Sequence, residues 1–197
     1  MVACLNSRLL VGIMENMQQI ERTLTASNID KITETFCSTL VSVGKSIRGK
    51  TGIPLFMTLK REKLVQEPYS GVSLFEAANR IMSDLVILKG IAALLKSKQF
   101  PFSAYTVEFG NENNRGFDII ASRGSTTLIG EAFNVAPSFF QTKKSSALKK
   151  LKRCQDNVTY RILMFNDDAV SSSYSPKPQV GLHHIIVGVE SGHIQVK

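Results

Sequence analysis

Cysteine is scarce in this 197-residue chain: Cys4, Cys37 and Cys154 stand far apart, odd in number and without a Cys-x-x-Cys spacing. That argues against a disulfide framework and a thiolate zinc site, and makes a reducing compartment the simpler home. Long apolar runs are missing too. Stretches such as Leu85 to Leu88 and Ile185 to Val189 fall far short of the roughly 20 residues that span a bilayer, so no membrane association is expected. The apolar patch Leu9 to Met14 follows only Arg8, lacks a small-residue cleavage site and is soon followed by Glu15 and Glu21, unlike a secretory leader. The expectation is a soluble intracellular protein of the cytoplasm or nucleus. Of the three histidines, adjacent His183 and His184 would point to opposite faces of a strand, and His193 stands alone in the tail. With no Ser-His-Asp order, no Gly-x-x-x-x-Gly-Lys loop and no Gly-x-Gly-x-x-Gly, the triad-hydrolase, nucleotide-triphosphatase and dinucleotide classes find no support.

What is present is enough apolar sequence for a real core, 43% hydrophobic against 20% charged, and an uneven net charge of +8. Lys143, Lys144, Lys149, Lys150, Lys152 and Arg153 fall in one stretch without an acid, leaving only +2 for the rest of the chain. Such a patch suits a polyanion, because neutralising phosphates releases condensed counterions, and it predicts steeply salt-dependent binding of DNA or RNA. A solvated helix face gives the same run of charge.

Apolar residues recur with helical spacing at Leu10, Ile13, Met17, Ile20 and Leu24, then at Ile29, Ile32, Phe36, Leu40, Val43 and Ile47. This predicts an N-terminal helical hairpin over residues 1–52, with Ser27 or Asn28 capping its second helix. Its apolar faces need burial, against the rest of the chain, a second copy or a protein partner. Gly49, Gly52 and Pro54 close the hairpin, and residues 53–197 form the second unit. Leu55 to Leu59 reads as extended, and Lys60 to Glu67 as a loop or short helix. A long helix opens at Ser73, where Ser-x-x-Glu through Glu76 is a capping box, and carries the stripe Leu74, Ala78, Ile81, Leu85, Leu88, Ala92 and Leu95. Three strands at 104–109, 117–122 and 126–135, separated by Gly, Asn and Ser clusters, predict an antiparallel meander. A basic helix near 138–154, a strand at 160–165, a Ser/Pro-rich loop and a last strand at 182–189 complete an α/β chain without internal repeats.

Asp118 and Glu131 are acids inside otherwise apolar strands, Gly-Phe-Asp-Ile-Ile and Leu-Ile-Gly-Glu-Ala-Phe. A carboxylate in a sheet core must be paired or bind a cation, so two on neighbouring strands suggest a shared Mg²⁺ or Mn²⁺ site. There the metal would polarise a phosphoryl oxygen and activate water. Structural accounts of the same acids are bonds from turn amides near Gly116 to Asp118, and pairing of Glu131 with Arg115 or Arg123. Glu108 would face solvent, and Gln141 reads as a polar residue at a helix start.

An α-β-β-β-α-β order with Asp on the second strand and Glu on the third resembles the PD-(D/E)XK nuclease superfamily over roughly Ser73 to Phe165. The resemblance implies a restriction-endonuclease-like core with a mixed central sheet. Asp118 and Glu131 match the metal-binding acids, and Glu76 matches a further acid that many members carry on the preceding helix. Where the family has a lysine two residues beyond the glutamate, this chain has Phe133. Either Lys143 or Lys144 reaches back from the next helix, or catalysis is lost and the fold serves as a scaffold for protein–protein interaction. On the nuclease reading Lys143, Lys144, Lys149, Lys150, Lys152 and Arg153 bind backbone phosphates.

Overall fold

The computed structural model describes residues 21–65, 68–110, 116–154 and 157–197. Strand β1 (Thr23–Thr25) is followed by helices α1 (Ile29–Lys45), α2 (Gly52–Arg61) and α3 (Leu74–Ser97). Then come β2 (Ala104–Val107), β3 (Ile119–Arg123), β4 (Thr126–Phe133), helix α4 (Pro137–Arg153), β5 (Tyr160–Asn166), β6 (Leu182–Val187) and β7 (Ile194–Val196). The result is a mixed α/β fold around one seven-stranded sheet whose spatial order follows the chain.

Local chemistry explains the sheet's two halves. Strands β1 to β4 pair antiparallel, and Gly124 with φ +59° opens the two-residue turn from β3 to β4, a conformation that favours glycine. Strands β4, β5 and β6 are parallel, and β7 returns antiparallel on β6. A parallel neighbour requires a crossover, and α4 supplies it between β4 and β5.

Helix α3 covers one face of the sheet and α4 the other. Val86, Ile87 and Ile91 of α3 join Ile162, Met164, Ile185 and Val187 in the main core. Phe140, Ala147 and residues of the other strand faces, Phe133, Leu163, Phe165 and Ile186, form a smaller second core. Because successive strand side chains alternate, β5 is covered on both sides and its centre, Ile162 to Phe165, is apolar without a break. Gly90 lets α3 lie close to the sheet, since a Cβ there would stand 2.3 Å from Met164 Sδ.

Three local expectations are corrected. Leu24, counted as the end of a first helical stripe, is a buried residue of β1; the rest of that stripe, through Ile20, lies outside the described residues. Asn28 takes the N-cap position of α1 but its amide is spent on the β1 turn, accepting from Thr25 N and donating to Thr23 O. Leu55 to Leu59 is helical, within α2: Pro54 falls in the first turn, where no intrahelical donor is needed, and Thr58 is buried on the face that packs on α3. Helix α1 places Ile29, Ile32 and Phe36 in the main core, with the Phe36 ring 6.4 Å from Tyr69 and 6.2 Å from Phe109. Strand β7, three residues long, is too short for alternation to reveal it in sequence. Among the described residues no helix is long and apolar enough to cross a membrane.

Candidate functional site

A cavity of about 590 Å³ opens between α3 and α4 at the C-terminal half of β4. Asp118, Glu131, Asp84 and Glu108 all line it, together with Arg80, Lys143 and Lys150.

Asp118 immediately precedes β3. The β3–β4 ladder ends at the pair Ile119 and Gly130, and Asp118 Oδ2 accepts the amide of Ala132 at 2.8 Å just beyond it. The side chain thus continues the ladder by one bond. Its amide partner is therefore in β4, and burial raises its pKa against the pull of that bond and of Lys150.

Glu131 lies within β4, 8% exposed. Lys150 Nζ reaches it from α4 and forms an ion pair 2.7 Å from Oε1. Burial, then the charge of Asp118, push Glu131 up to about 7, while Lys150 opposes the rise. The partner is Lys150 rather than Arg123, whose guanidinium donates to Pro101 O at 3.2 Å; Arg115 lies outside the described residues. Lys150 also stands 5.8 Å from the centre of the Phe117 ring.

The remaining candidates separate. Lys143 and Lys150, seven residues apart, share one side of α4 and line the cavity. Lys144 turns onto the rings of Phe140 and Tyr174, at 5.3 and 5.8 Å. Lys149, Lys152 and Arg153 border a separate open surface with Ser145 and Leu148. Gln141 is exposed and outside the cavity wall. Glu108, expected in solvent, lines the cavity and pairs with Arg22 at 2.6 Å. Glu76 receives its role from the helix: Ser73 Oγ accepts its amide, and its carboxylate meets Arg80 Nη2 at 2.5 Å, half exposed and away from the cavity. Phe133, which stands where the resembled PD-(D/E)XK pattern has a lysine, packs into the second core, its ring 5.8 Å from Phe165 and 6.2 Å from Phe140.

Sequence reasoning missed Asp84. Two helical turns after Glu76 on α3, it is buried and accepts Tyr69 OH at 2.6 Å and Gly110 N at 2.9 Å through Oδ2. Its signal was an acid inside the stripe between Ile81 and Leu85, a position that burial makes costly unless bonded. Gly110 is held at φ +73°, and a Cβ there would meet Pro68 O at 2.6 Å, so the loop that donates this amide admits no side chain at that position. Burial pushes Asp84 up to about 7, with the charge of Asp118 adding to it.

Comparison with protein-family models, curated proteins and solved structures found no match to this chain. The site is therefore read on its own chemistry. Among the described residues no three His, Cys, Asp or Glu side chains converge closely enough to form a metal cluster by themselves. Mg²⁺ is commonly held by one or two carboxylates, with water and substrate phosphate completing its shell. Asp118 and Glu131 supply two carboxylates of that kind, and because Lys150 holds Glu131 Oε1 at 2.7 Å, a Mg²⁺ or Mn²⁺ ion there would share the carboxylate with the ammonium.

The raised carboxyl groups carry a stability signature. A group whose folded pKa lies above its unfolded value contributes fully below the unfolded value near 4, and that contribution is lost as pH rises through about 7. Asp84→Asn removes one such group while keeping an acceptor for Tyr69 and Gly110. Urea unfolding is expected to show a flatter decline in stability between about pH 5 and pH 8, by on the order of 2 kcal/mol. An unchanged slope would mean that Asp84 ionises normally.

Proposed function

We propose that this chain acts on nucleic acid as a divergent PD-(D/E)XK nuclease, hydrolysing phosphodiester bonds with Mg²⁺ or Mn²⁺ at Asp118 and Glu131. The order α3, β2, β3, β4, α4, β5 supports the resemblance, as do Glu131 in β4 and Asp118, which stands one residue before β3 and accepts Ala132 N of β4. The observation that carries the reading is the 2.7 Å approach of Lys150 to Glu131. A lysine beside the metal-binding glutamate is what the family pattern implies, and here it comes from α4 instead of β4. Lys150 thus takes the role first expected of Lys143 or Lys144, because its position on the cavity side of α4 brings its amine to the acid.

When bound, the metal supplies a polarised phosphoryl oxygen and a water of lowered pKa. Lys150 places an ammonium where negative charge would develop on the phosphoryl oxygens, next to the carboxylate that holds it in place. Lys143, one side of the cavity, neutralises a neighbouring phosphate. Asp118 keeps β3 and β4 in register at the site through Ala132 N. Asp84, tied to Tyr69 and Gly110, occupies the helix-borne acidic position first expected of Glu76. Lys149, Lys152 and Arg153 extend the backbone contact along another side of α4.

The direct test is cleavage of plasmid, single-stranded DNA and RNA with Mg²⁺ or Mn²⁺, beside an Asp118→Ala/Glu131→Ala double variant. Cleavage by the wild type and its loss in the double variant are expected. A folded wild type that cuts none of the three overturns nuclease activity. It would favour the second reading, a nuclease-like scaffold for protein–protein interaction, whose supporting observations are the packed Phe133 ring and the exposed Ile53 and Phe56 of α2.

A further inference from the structure

We infer that Phe139 is a stacking platform for an unpaired base, so that the cavity takes single-stranded nucleic acid in preference to duplex. The inference rests on the nucleic-acid reading above and narrows its substrate class. Phe139 lines the cavity at the start of α4 and is 64% exposed. The adjacent ring shows the contrast: Phe140 is buried against Phe133, Phe165 and Tyr174 in the second core, to which Phe139 does not belong.

An exposed ring inside a wall of charged groups calls for a ligand that is flat and apolar on one face yet carries negative charge close by. A nucleotide has that composition. Lys143, four residues on and therefore on the same side of the helix, lines the cavity beside the ring, and Lys150 follows two turns deeper. A phosphate drawn to these amines leaves its base on the side of the cavity that Phe139 lines, and Asn79 and Asn134, which also line it, carry the amide donors and acceptors that a base edge would take. In a duplex the base faces are already covered by neighbouring pairs. Stacking on a side chain therefore selects strands whose bases are free, and does so with little regard to sequence. The exposed Phe75 differs, since Lys60 covers its ring at 4.9 Å and it does not line the cavity.

The chain has no tryptophan, so Phe139→Trp introduces a single indole reporter at the platform. Without divalent metal, to prevent cleavage, this variant is titrated with an oligonucleotide of about a dozen nucleotides, with its duplex, and with the same strand carrying abasic positions. Indole quenching by the single strand, and its absence with duplex and abasic strand, is expected. In parallel, anisotropy binding of the wild type and Phe139→Ala is expected to show single-strand affinity falling by roughly 5- to 100-fold in the variant, with duplex affinity changed less than about twofold. Equal quenching by duplex, or an unchanged single-strand affinity in Phe139→Ala with salt-dependent binding intact, overturns the platform and leaves the nuclease reading standing. No salt-dependent binding of either form by the folded wild type overturns both.

Discussion

In the proposed nuclease, Lys150→Ala is expected to lower metal-dependent cleavage by roughly 10²- to 10³-fold in kcat, the usual effect of removing one charge-stabilising donor from a reaction centre. The reason is placement: the ammonium lies 2.7 Å from Glu131 Oε1, inside the cavity. Lys143 lines the same cavity without an ion pair to Glu131, so Lys143→Ala is expected to raise KM with a smaller change in kcat. Lys150→Arg is not a conservative control, because a planar guanidinium replaces a compact point charge. The pH profile separates catalysis from simple phosphate binding. Lys150 holds the Glu131 pKa down, so its loss raises that value further and moves the acid limb of the rate profile to higher pH. A variant with unchanged kcat and only a weaker KM would reduce Lys150 to a phosphate contact.

Placing a lysine at position 133, where the PD-(D/E)XK pattern that the proposal rests on has one, is not expected to raise cleavage by the proposed nuclease. The ring is 6% exposed, stacks on Phe165 and contacts Phe140, so the substitution removes an aromatic from a packed cluster and leaves an amine at its edge. Losing a buried phenylalanine side chain destabilises by about 3 kcal/mol or more, and burial of the charge adds to that. Urea unfolding measures the loss, and cleavage by the remaining folded fraction is expected to stay at or below wild type. Two ammonium groups competing for Glu131 would also weaken metal binding. A stable Phe133→Lys protein that cuts faster would show that Lys150 does not fill the lysine's role, and that Phe133 marks lost activity instead.

The two outcomes are coupled by geometry. Phe133 and Glu131 lie on the same side of β4, and the second core beneath α4 uses that side for Phe133, Phe140 and Phe165. Once the strand position is committed to packing, a cation for Glu131 must come from the helix that covers the face. Lys150 is the residue whose turn of α4 meets it.

The extent of legibility follows from which interactions are local. The capping box at Ser73, the long apolar stripe of α3, the strand alternation and the glycine turn after Arg123 depend on neighbours in the chain, and each appears where the sequence places it. Asp118 and Glu131 stood out because carboxylates interrupt apolar strands. Asp84 was hidden by Glu76, which carried a recognisable local motif while the buried acid did not. Leu24 and the segment from Leu55 to Leu59 misled because short apolar spacings fit helix and strand alike until a partner is known.

By itself, then, the sequence determined a mixed α/β chain, the meander, the basic helix and Glu131 as an acid inside a strand, while Asp118, expected within the second strand, stands one residue before β3; propensity, period and turn chemistry act over a few residues. Which lysine meets Glu131, which helix acid is buried, which basic residues share the cavity and which of two adjacent phenylalanines faces it were decided by tertiary structure alone. Each depends on the rotation of a helix against the sheet, where about 100° per residue separates Lys143 from Lys144 and Phe139 from Phe140. That rotation is set by packing across the whole core, and no local pattern encodes it.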